Sequence, residues 1–180
     1  ALKNKGDLDG AIDSYRKALE IKPDYCEAHN NMGNALTDQG DLSVAIDSYR
    51  QALKIKPDYA EAYNNMGNAL KDQGDLSAAI DSYSQALKIT PDYSEAHSNM
   101  ALVLLDQGEL DAAIDNCKLA LKIKPNYAAA YYNMGNALQD KCELDASIDS
   151  YKQALKIKPN YAAAYYNMGN ALKNKGELDA

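Results

Sequence analysis

The stretch AEAYNNMGNALKDQGDLSAAIDSYSQALKITPDY, residues 60–93, sets the plan of the chain, because its skeleton recurs every 34 residues on either side. Proline falls at Pro23, Pro57, Pro91, Pro125 and Pro159, and methionine at Met32, Met66, Met100, Met134 and Met168. Tyrosine falls at Tyr25, Tyr59, Tyr93, Tyr127 and Tyr161. A fixed period of this length marks a repeat architecture and overrides the single-globule expectation that 180 residues would otherwise carry.

Each unit encodes two helices. In residues 60–73 the apolar positions Ala62, Tyr63, Met66, Ala69 and Leu70 follow offsets of three and four, which make one helical face. Gly74 is suited to the left-handed position after a helix, and Asp75 to the cap or first turn of the next. Leu76, Ala79, Ile80, Tyr83, Ala86, Leu87 and Ile89 form the face of a second helix over residues 76–89. Pro91 stops it, since proline lacks an N–H and clashes with the preceding turn. Helices this short are marginal alone. Stacked neighbours must bury their faces in one continuous core.

Working outward, full units cover 26–59, 60–93, 94–127 and 128–161, with partial units at 1–25 and 162–180, all within one solenoid spanning 1–180. Residues 1–5 read as the tail of a first helix, Gly6-Asp7 as a turn, and Leu8 to Ile21 as a second helix. Residues 162–180 read as a last first helix and the start of a second. The chain begins in mid-repeat without a starting Met and reads as a fragment. Gly33, Gly67, Gly135 and Gly169 sit inside first helices, where glycine costs about 1 kcal/mol relative to alanine. Their recurrence points to close approach of a neighbouring helix. Cys142 stands where the other units have Gly40, Gly74, Gly108 and Gly176, so its turn is expected to be the local weak point.

These marks closely resemble the tetratricopeptide repeat. That motif has an aromatic opening the first helix, a Leu-Gly pair and a large residue one turn on. An Ala-aromatic-Ala second helix and a closing proline follow. Residues 60–93 supply Tyr63, Met66-Gly67, Leu70, Ala79, Tyr83, Ala86 and Pro91. Departures are local: His29 and His97 at the aromatic position, Ala101 for glycine, and Cys117 for the tyrosine of positions 15, 49, 83 and 151. The resemblance implies an all-α solenoid, a right-handed superhelix of antiparallel helix pairs. It also implies that the first helices line a concave groove that binds proteins or extended peptides.

By that resemblance the groove positions in residues 60–93 are Glu61, Asn64, Asn65, Asn68, Lys71 and Asp72. On a helical wheel Asn64, Asn68 and Lys71 lie away from the buried face. One asparagine column runs Asn31, Asn65, Asn99, Asn133 and Asn167, and a second runs Asn34, Asn68, Asn136 and Asn170, broken by Leu102. An amide both donates and accepts. Two roles are open to the first column: gripping the backbone of an extended peptide, or bonding locally between helices. It also resembles the asparagine ladder in the repeats of nucleocytoplasmic O-linked N-acetylglucosamine transferases, without any glycosyltransferase domain.

The groove rows change character along the chain. Glu27, Glu61 and Glu95 give way to Ala129 and Ala163, while Asn30, Asn64 and Ser98 give way to Tyr132 and Tyr166. Asp38, Asp72, Asp106 and Asp140 extend the acidity until Asn174. This suggests a partner with a basic segment over the first half and apolar contact with exposed rings over the second.

The net charge of −7 makes nucleic acid a poor partner, and no run of residues is apolar enough to span a membrane, which fits a cytoplasmic protein. The basic clamp that chaperone-binding members use for a peptide carboxylate is missing, since Lys71 and Lys173 are isolated. Three cysteines without CxxC spacing suggest neither a disulfide framework nor a metal site. His29 and His97 sit at packing positions two repeats apart, and neither Cys26 nor Cys117 has an evident base. No catalytic constellation or cofactor site emerges. The leading reading is a non-enzymatic interaction scaffold. The alternatives are a homo-oligomer formed by end-to-end stacking of uncapped repeats, and a substrate-recruiting arm of a larger enzyme such as a glycosyltransferase.

Overall fold

The computed structural model describes residues 5–178, with burial of side chains resolved over 7–176. Its helices are α1 (Lys5–Ile21), α2 (Cys26–Gln39), α3 (Leu42–Ile55), α4 (Ala60–Gln73) and α5 (Leu76–Ile89). They continue as α6 (Ser94–Asp106), α7 (Leu110–Ile123), α8 (Ala128–Asp140), α9 (Leu144–Ile157) and α10 (Ala162–Leu178). Contacts divide the chain into two compact units, Ala1–Pro91 and Asp92–Ala180. In the first, α2 packs on α3 and α4 on α5, with α1 against α2, α3 against α4, and α2 beside α4. In the second, α6 packs on α7 and α8 on α9, with α10 against α9, and α8 touches both α6 and α10. These are paired antiparallel helices in a repeating pattern, an α-solenoid.

The turns follow from glycine and proline chemistry. After α2, Gly40 takes φ 91°. Its N–H bonds Thr37 O at 3.0 Å while Asp41 N bonds Leu36 O at 2.9 Å. This bond pair satisfies helix-end carbonyls and requires a left-handed residue. Gly74 repeats it at φ 93°. The Asp75 carboxylate then caps α5, accepting from Ala78 N at 3.0 Å. At Cys142 the same bonds form, Cys142 N to Gln139 O at 2.9 Å and Glu143 N to Leu138 O at 2.8 Å. Here a side chain is carried at φ 61°. Cys142 is the one non-glycine residue with positive φ among the described residues.

Two glycines depart from the sequence expectation. Gly6 and Gly176 make no turn: α1 runs through the first and α10 through the second. The rest of the first-helix tail expected over 1–5, and residues 179–180 of the expected last second helix, lie outside the described residues. At Gly40, Gly74 and Gly108 the helices on either side pack on each other, so breaking the helix is rewarded by burial. At Gly6 and Gly176 no such helix pair is described, and continuing the helix keeps its backbone bonds.

The core is set by alanines and tyrosines. Ala45, Ala52, Ala79 and Ala86 are fully buried, as are Tyr83 and Tyr151, with Tyr49 at 1% exposure. Each of these tyrosine rings lies across the glycine of the paired first helix. A Cβ on Gly33, Gly67 or Gly135 would stand 2.6 Å from the ring of Tyr49, Tyr83 or Tyr151. The exception explains itself. Where Cys117 replaces the tyrosine, Ala101 replaces the glycine, and both are buried.

At the turn before α9, Cys142→Gly should raise stability by about 0.5–1 kcal/mol, read as a higher urea midpoint, because it removes left-handed strain at a smaller entropic cost. Within the core, Gly67→Ala alone should lose about 1–3 kcal/mol by overpacking against the ring. Combining Gly67→Ala with Tyr83→Cys should lose less than the sum of the two single changes. Additive urea-derived losses would show that ring and glycine are not coupled.

Candidate functional site

The asparagine positions do two different jobs. In the first unit Asn30 is fully buried and Asn64 is 5% exposed. Asn64 thus departs from the wheel reading: it is buried, where an amide is satisfied by protein partners and not by water. Asn65 Nδ2 donates to Asn30 Oδ1 at 3.2 Å, and Asn30 Nδ2 donates to Glu61 Oε1 at 3.4 Å, so α2 and α4 are stitched by side-chain amides. Asn64 Nδ2 donates to Asn65 Oδ1 at 3.4 Å, and Asn30 Nδ2 also reaches Asn31 Oδ1 at 3.5 Å.

The second unit repeats the stitch with different acceptors. Asn133 is buried and donates to Ser98 O at 3.3 Å and Ser98 Oγ at 3.4 Å. Asn167 Nδ2 donates to Tyr132 Oη at 3.1 Å and to Asn136 Oδ1 at 2.9 Å. Asn65, Asn133 and Asn167 therefore bond the first helix of the preceding repeat. Asn99 is half-buried and also has an interaction partner, while Asn31 is exposed.

The second column is pinned by the core tyrosines. Tyr49 Oη donates to Asn34 Oδ1, Tyr83 Oη to Asn68 Oδ1 and Tyr151 Oη to Asn136 Oδ1, each at 2.8 Å. Position 102 breaks this column with leucine in the same repeat where Cys117 removes the hydroxyl. Ala101, Leu102 and Cys117 are thus one coordinated change. Asn34 and Asn68 are half-buried, and it is the amide oxygen of each that the phenol fixes. Asn170 is half-buried on α10.

Asn34, Asn65 and Asn68 share a cavity of about 250 Å³ with Thr37, Asp38, Tyr49 and Glu61. Tyr49 and Thr37 were not read as site residues from the sequence. For Tyr49 the signal lies in the composition: fourteen tyrosines and no phenylalanine imply a phenol whose hydroxyl is used even at packing positions. Burial pushes the Tyr49 hydroxyl up to about 12, and the Asp38 and Glu61 carboxylates push the same way, so both charges are felt at the cavity floor.

Other expected site residues are placed less uniformly. Glu27 and Glu61 are exposed on α2 and α4. Glu95 is held by Lys124 at 2.7 Å and by the Ser94 hydroxyl at 2.7 Å, which keeps its carboxyl below the usual range. Lys71 pairs with Asp72 at 3.0 Å. Asp38, Asp106 and Asp140 are exposed. Tyr166 is 72% exposed. Tyr132 is not an exposed ring. It is half-buried beside Tyr161, with centroids 4.9 Å apart, and joins the core formed by α9 and α10.

The thiols and imidazoles have structural surroundings. Cys117 is fully buried, and burial pushes its thiol up to about 12. The Cys26 thiol is also raised, first by burial and then by Glu27, whose carboxylate it bonds at 3.2 Å. His97 Nδ1 lies 3.0 Å from Asn116 Oδ1, and His29 Nε2 lies 3.2 Å from Pro23 O. Among the described residues no group of His, Cys, Asp or Glu could hold a metal ion, and no helix is long and apolar enough to cross a membrane.

A repeating solenoid of helix pairs whose first helices carry ordered polar side chains defines a class of interaction scaffolds. The chain belongs to the TPR repeat family, whose model matches residues 1–40, 33–74, 67–108, 103–141 and 143–176. Among solved structures it is similar to MamA at 31% identity, with a TM-score of 0.77, over 90% of this chain and 95% of that one. YrrB, a TPR protein with an unusual peptide-binding site, matches at 22% identity and TM-score 0.74, over 92% of this chain and 85% of that one. A MamA chain from Desulfovibrio magneticus RS-1 matches at 21% identity and TM-score 0.76, over 84% of this chain and 85% of that one. No curated protein matches the chain. The chain is a protein–protein interaction scaffold of the TPR type.

The buried phenols make stability depend on pH in one direction. A tyrosine ionises near 10.0 when unfolded, whereas Tyr49 and Tyr151 hold their protons up to about 12, and Tyr83 is raised too, all through burial first. Their contribution is complete below pH 10 and is lost as pH rises towards 12. Urea midpoints should fall across that window together with the appearance of tyrosinate absorbance. A midpoint still unchanged at pH 12 would contradict the assignment.

Proposed function

We propose that the chain receives an extended segment of a partner protein along the faces of its first helices α2 and α4. The observation that carries this reading is the fixed orientation of the second asparagine column. Each tyrosine hydroxyl holds the amide oxygen of Asn34 or Asn68 at 2.8 Å, and both half-buried asparagines line the cavity, so their amide N–H groups are the donors assigned to the partner. Oriented donors of this kind suit the carbonyls of an extended backbone whatever its side chains, and lose little entropy on binding.

The acidity of the α2–α4 face supports a basic segment in the partner, since Asp38 and Glu61 flank the same cavity and Glu27 and Asp72 are exposed nearby in sequence position. On α10, the exposed ring of Tyr166 suits apolar or cationic contact. The first asparagine column contributes mainly by holding neighbouring helices in register. Its likeness to the ladder of the O-linked N-acetylglucosamine transferases keeps open an arm of a larger enzyme, in which the same face would recruit substrate.

Asn34→Asp and Asn68→Asp together keep an acceptor for each tyrosine and remove both donors. Capture of a neutral, unstructured peptide library should then fall about tenfold or more, with the thermal transition and the sedimentation coefficient unchanged. Retained capture would refute the role of these amides. A fall in sedimentation coefficient along with capture would favour end-to-end assembly as the function of the chain.

A further inference from the structure

The second helices carry a groove of their own, away from the asparagine columns. In the second unit a cavity of about 600 Å³ lies between α7 and α9 over the C-terminal part of α8. Its floor is apolar: Ile114 and Leu138 are buried, Met134 is half-buried and Ala146 is exposed. Its rim carries Asp111, Asp115, Glu143 and Asp149 against two ammonium groups, Lys118 and Lys141. Lys141 is fully engaged, bonding Asp111 at 2.7 Å and Glu143 at 2.9 Å, and Lys118 is 3.3 Å from Asp115. Asp149 pairs with Lys152 at 3.1 Å, so the four rim carboxylates meet three ammonium groups and one negative charge is left over.

The first unit builds the same groove three repeats earlier. There Ile12 and Leu36 form the floor, and Asp9, Asp13 and Asp41 outnumber Arg16 on the rim of a cavity of about 350 Å³. Ile12 matches Ile114, Leu36 matches Leu138, Asp13 matches Asp115 and Asp41 matches Glu143 in repeat position. Two compact units thus present one cavity with one chemistry: an apolar floor and an acidic rim.

We propose that this outer groove docks an amphipathic helix of a partner protein, with its apolar side chains on the floor and lysine or arginine flanking them. Charge complementarity selects the basic flanks. The walls select the helix. All three walls are helices whose backbone groups are already bonded internally, so a guest must satisfy its own N–H and C=O groups, as a helix does. The lining positions Asp111, Ile114, Asp115 and Lys118 follow one face of α7 over two turns, about 10 Å at 1.5 Å per residue, so the groove runs along α7. This surface is independent of the asparagine face and would coexist with a peptide bound there.

The test uses the full chain and three synthetic peptides of about 14 residues, long enough for measurable helicity. One has leucines on one face flanked by lysines. The second replaces the lysines with glutamates. The third has the first peptide's composition with the apolar face scrambled. Binding is read by nuclear magnetic resonance titration at low salt. The lysine peptide should bind more tightly than both others and shift the signals of Ile114, Met134, Leu138 and Ala146. Asp111→Lys with Asp149→Lys, both on exposed side chains, should weaken binding at this groove about tenfold through reversed rim charge, read from the shifts of Ile114 and Leu138. Equal binding of the lysine and glutamate peptides, or of the scrambled peptide, would overturn the proposal. So would shifts confined to Asn133, Asn136 and Asn170, or a concentration-dependent mass showing that a second copy of this chain covers the groove.

Discussion

The structure depends on a phenol ring laid across a helix backbone. Tyr49, Tyr83 and Tyr151 come so close to Gly33, Gly67 and Gly135 that a methyl group would not fit. A glycine inside a helix costs about 1 kcal/mol, whereas burying a large side chain stabilises by about 1.5–3 kcal/mol. Burial wins, and the two helices of a repeat can approach at that point. The same ring carries its hydroxyl past the glycine to the next residue of the first helix, where it fixes an asparagine. One residue therefore sets both the packing distance of a helix pair and the orientation of a surface amide.

That coupling explains why the repeat from residue 94 to 127 changes in three places at once. Once the ring is replaced by Cys117, space opens beside the first helix and Ala101 fills part of it. The hydroxyl is gone too, so an amide at position 102 would have no phenol to orient it, and leucine stands there. A substitution in the core thereby alters the chemistry of the face. The wider core also shows what tightness costs elsewhere: Ser147, in a position held by alanine in other repeats, stays fully buried by donating to Gly135 O at 2.8 Å.

The helix spans of residues 60–93 were legible in the sequence almost to the residue, because apolar spacing, a turn glycine, a capping aspartate and a stop proline all agree there. The site was legible in part. Spacing put Asn30, Asn64 and Asn65 together but could not separate an amide facing a neighbouring helix from one facing solvent, since adjacent positions on a helix differ by about 100° and the neighbour's position decides which is covered. Tyr132 illustrates the same limit. As a lone position it reads as a surface ring, yet Tyr161, in the turn before α10, comes to lie against it.

What the sequence by itself determined is the period, the helix pairs and the close approach of a neighbouring helix at the glycines, because these rest on local backbone preference and on side-chain volume. What only the tertiary structure decided is which of several identical local signals is obeyed. Gly40, Gly74 and Gly108 turn the chain, while Gly6 and Gly176 stay helical. Glycine removes the penalty for a left-handed residue but supplies no force to adopt it. The force comes from burying one helix against the next.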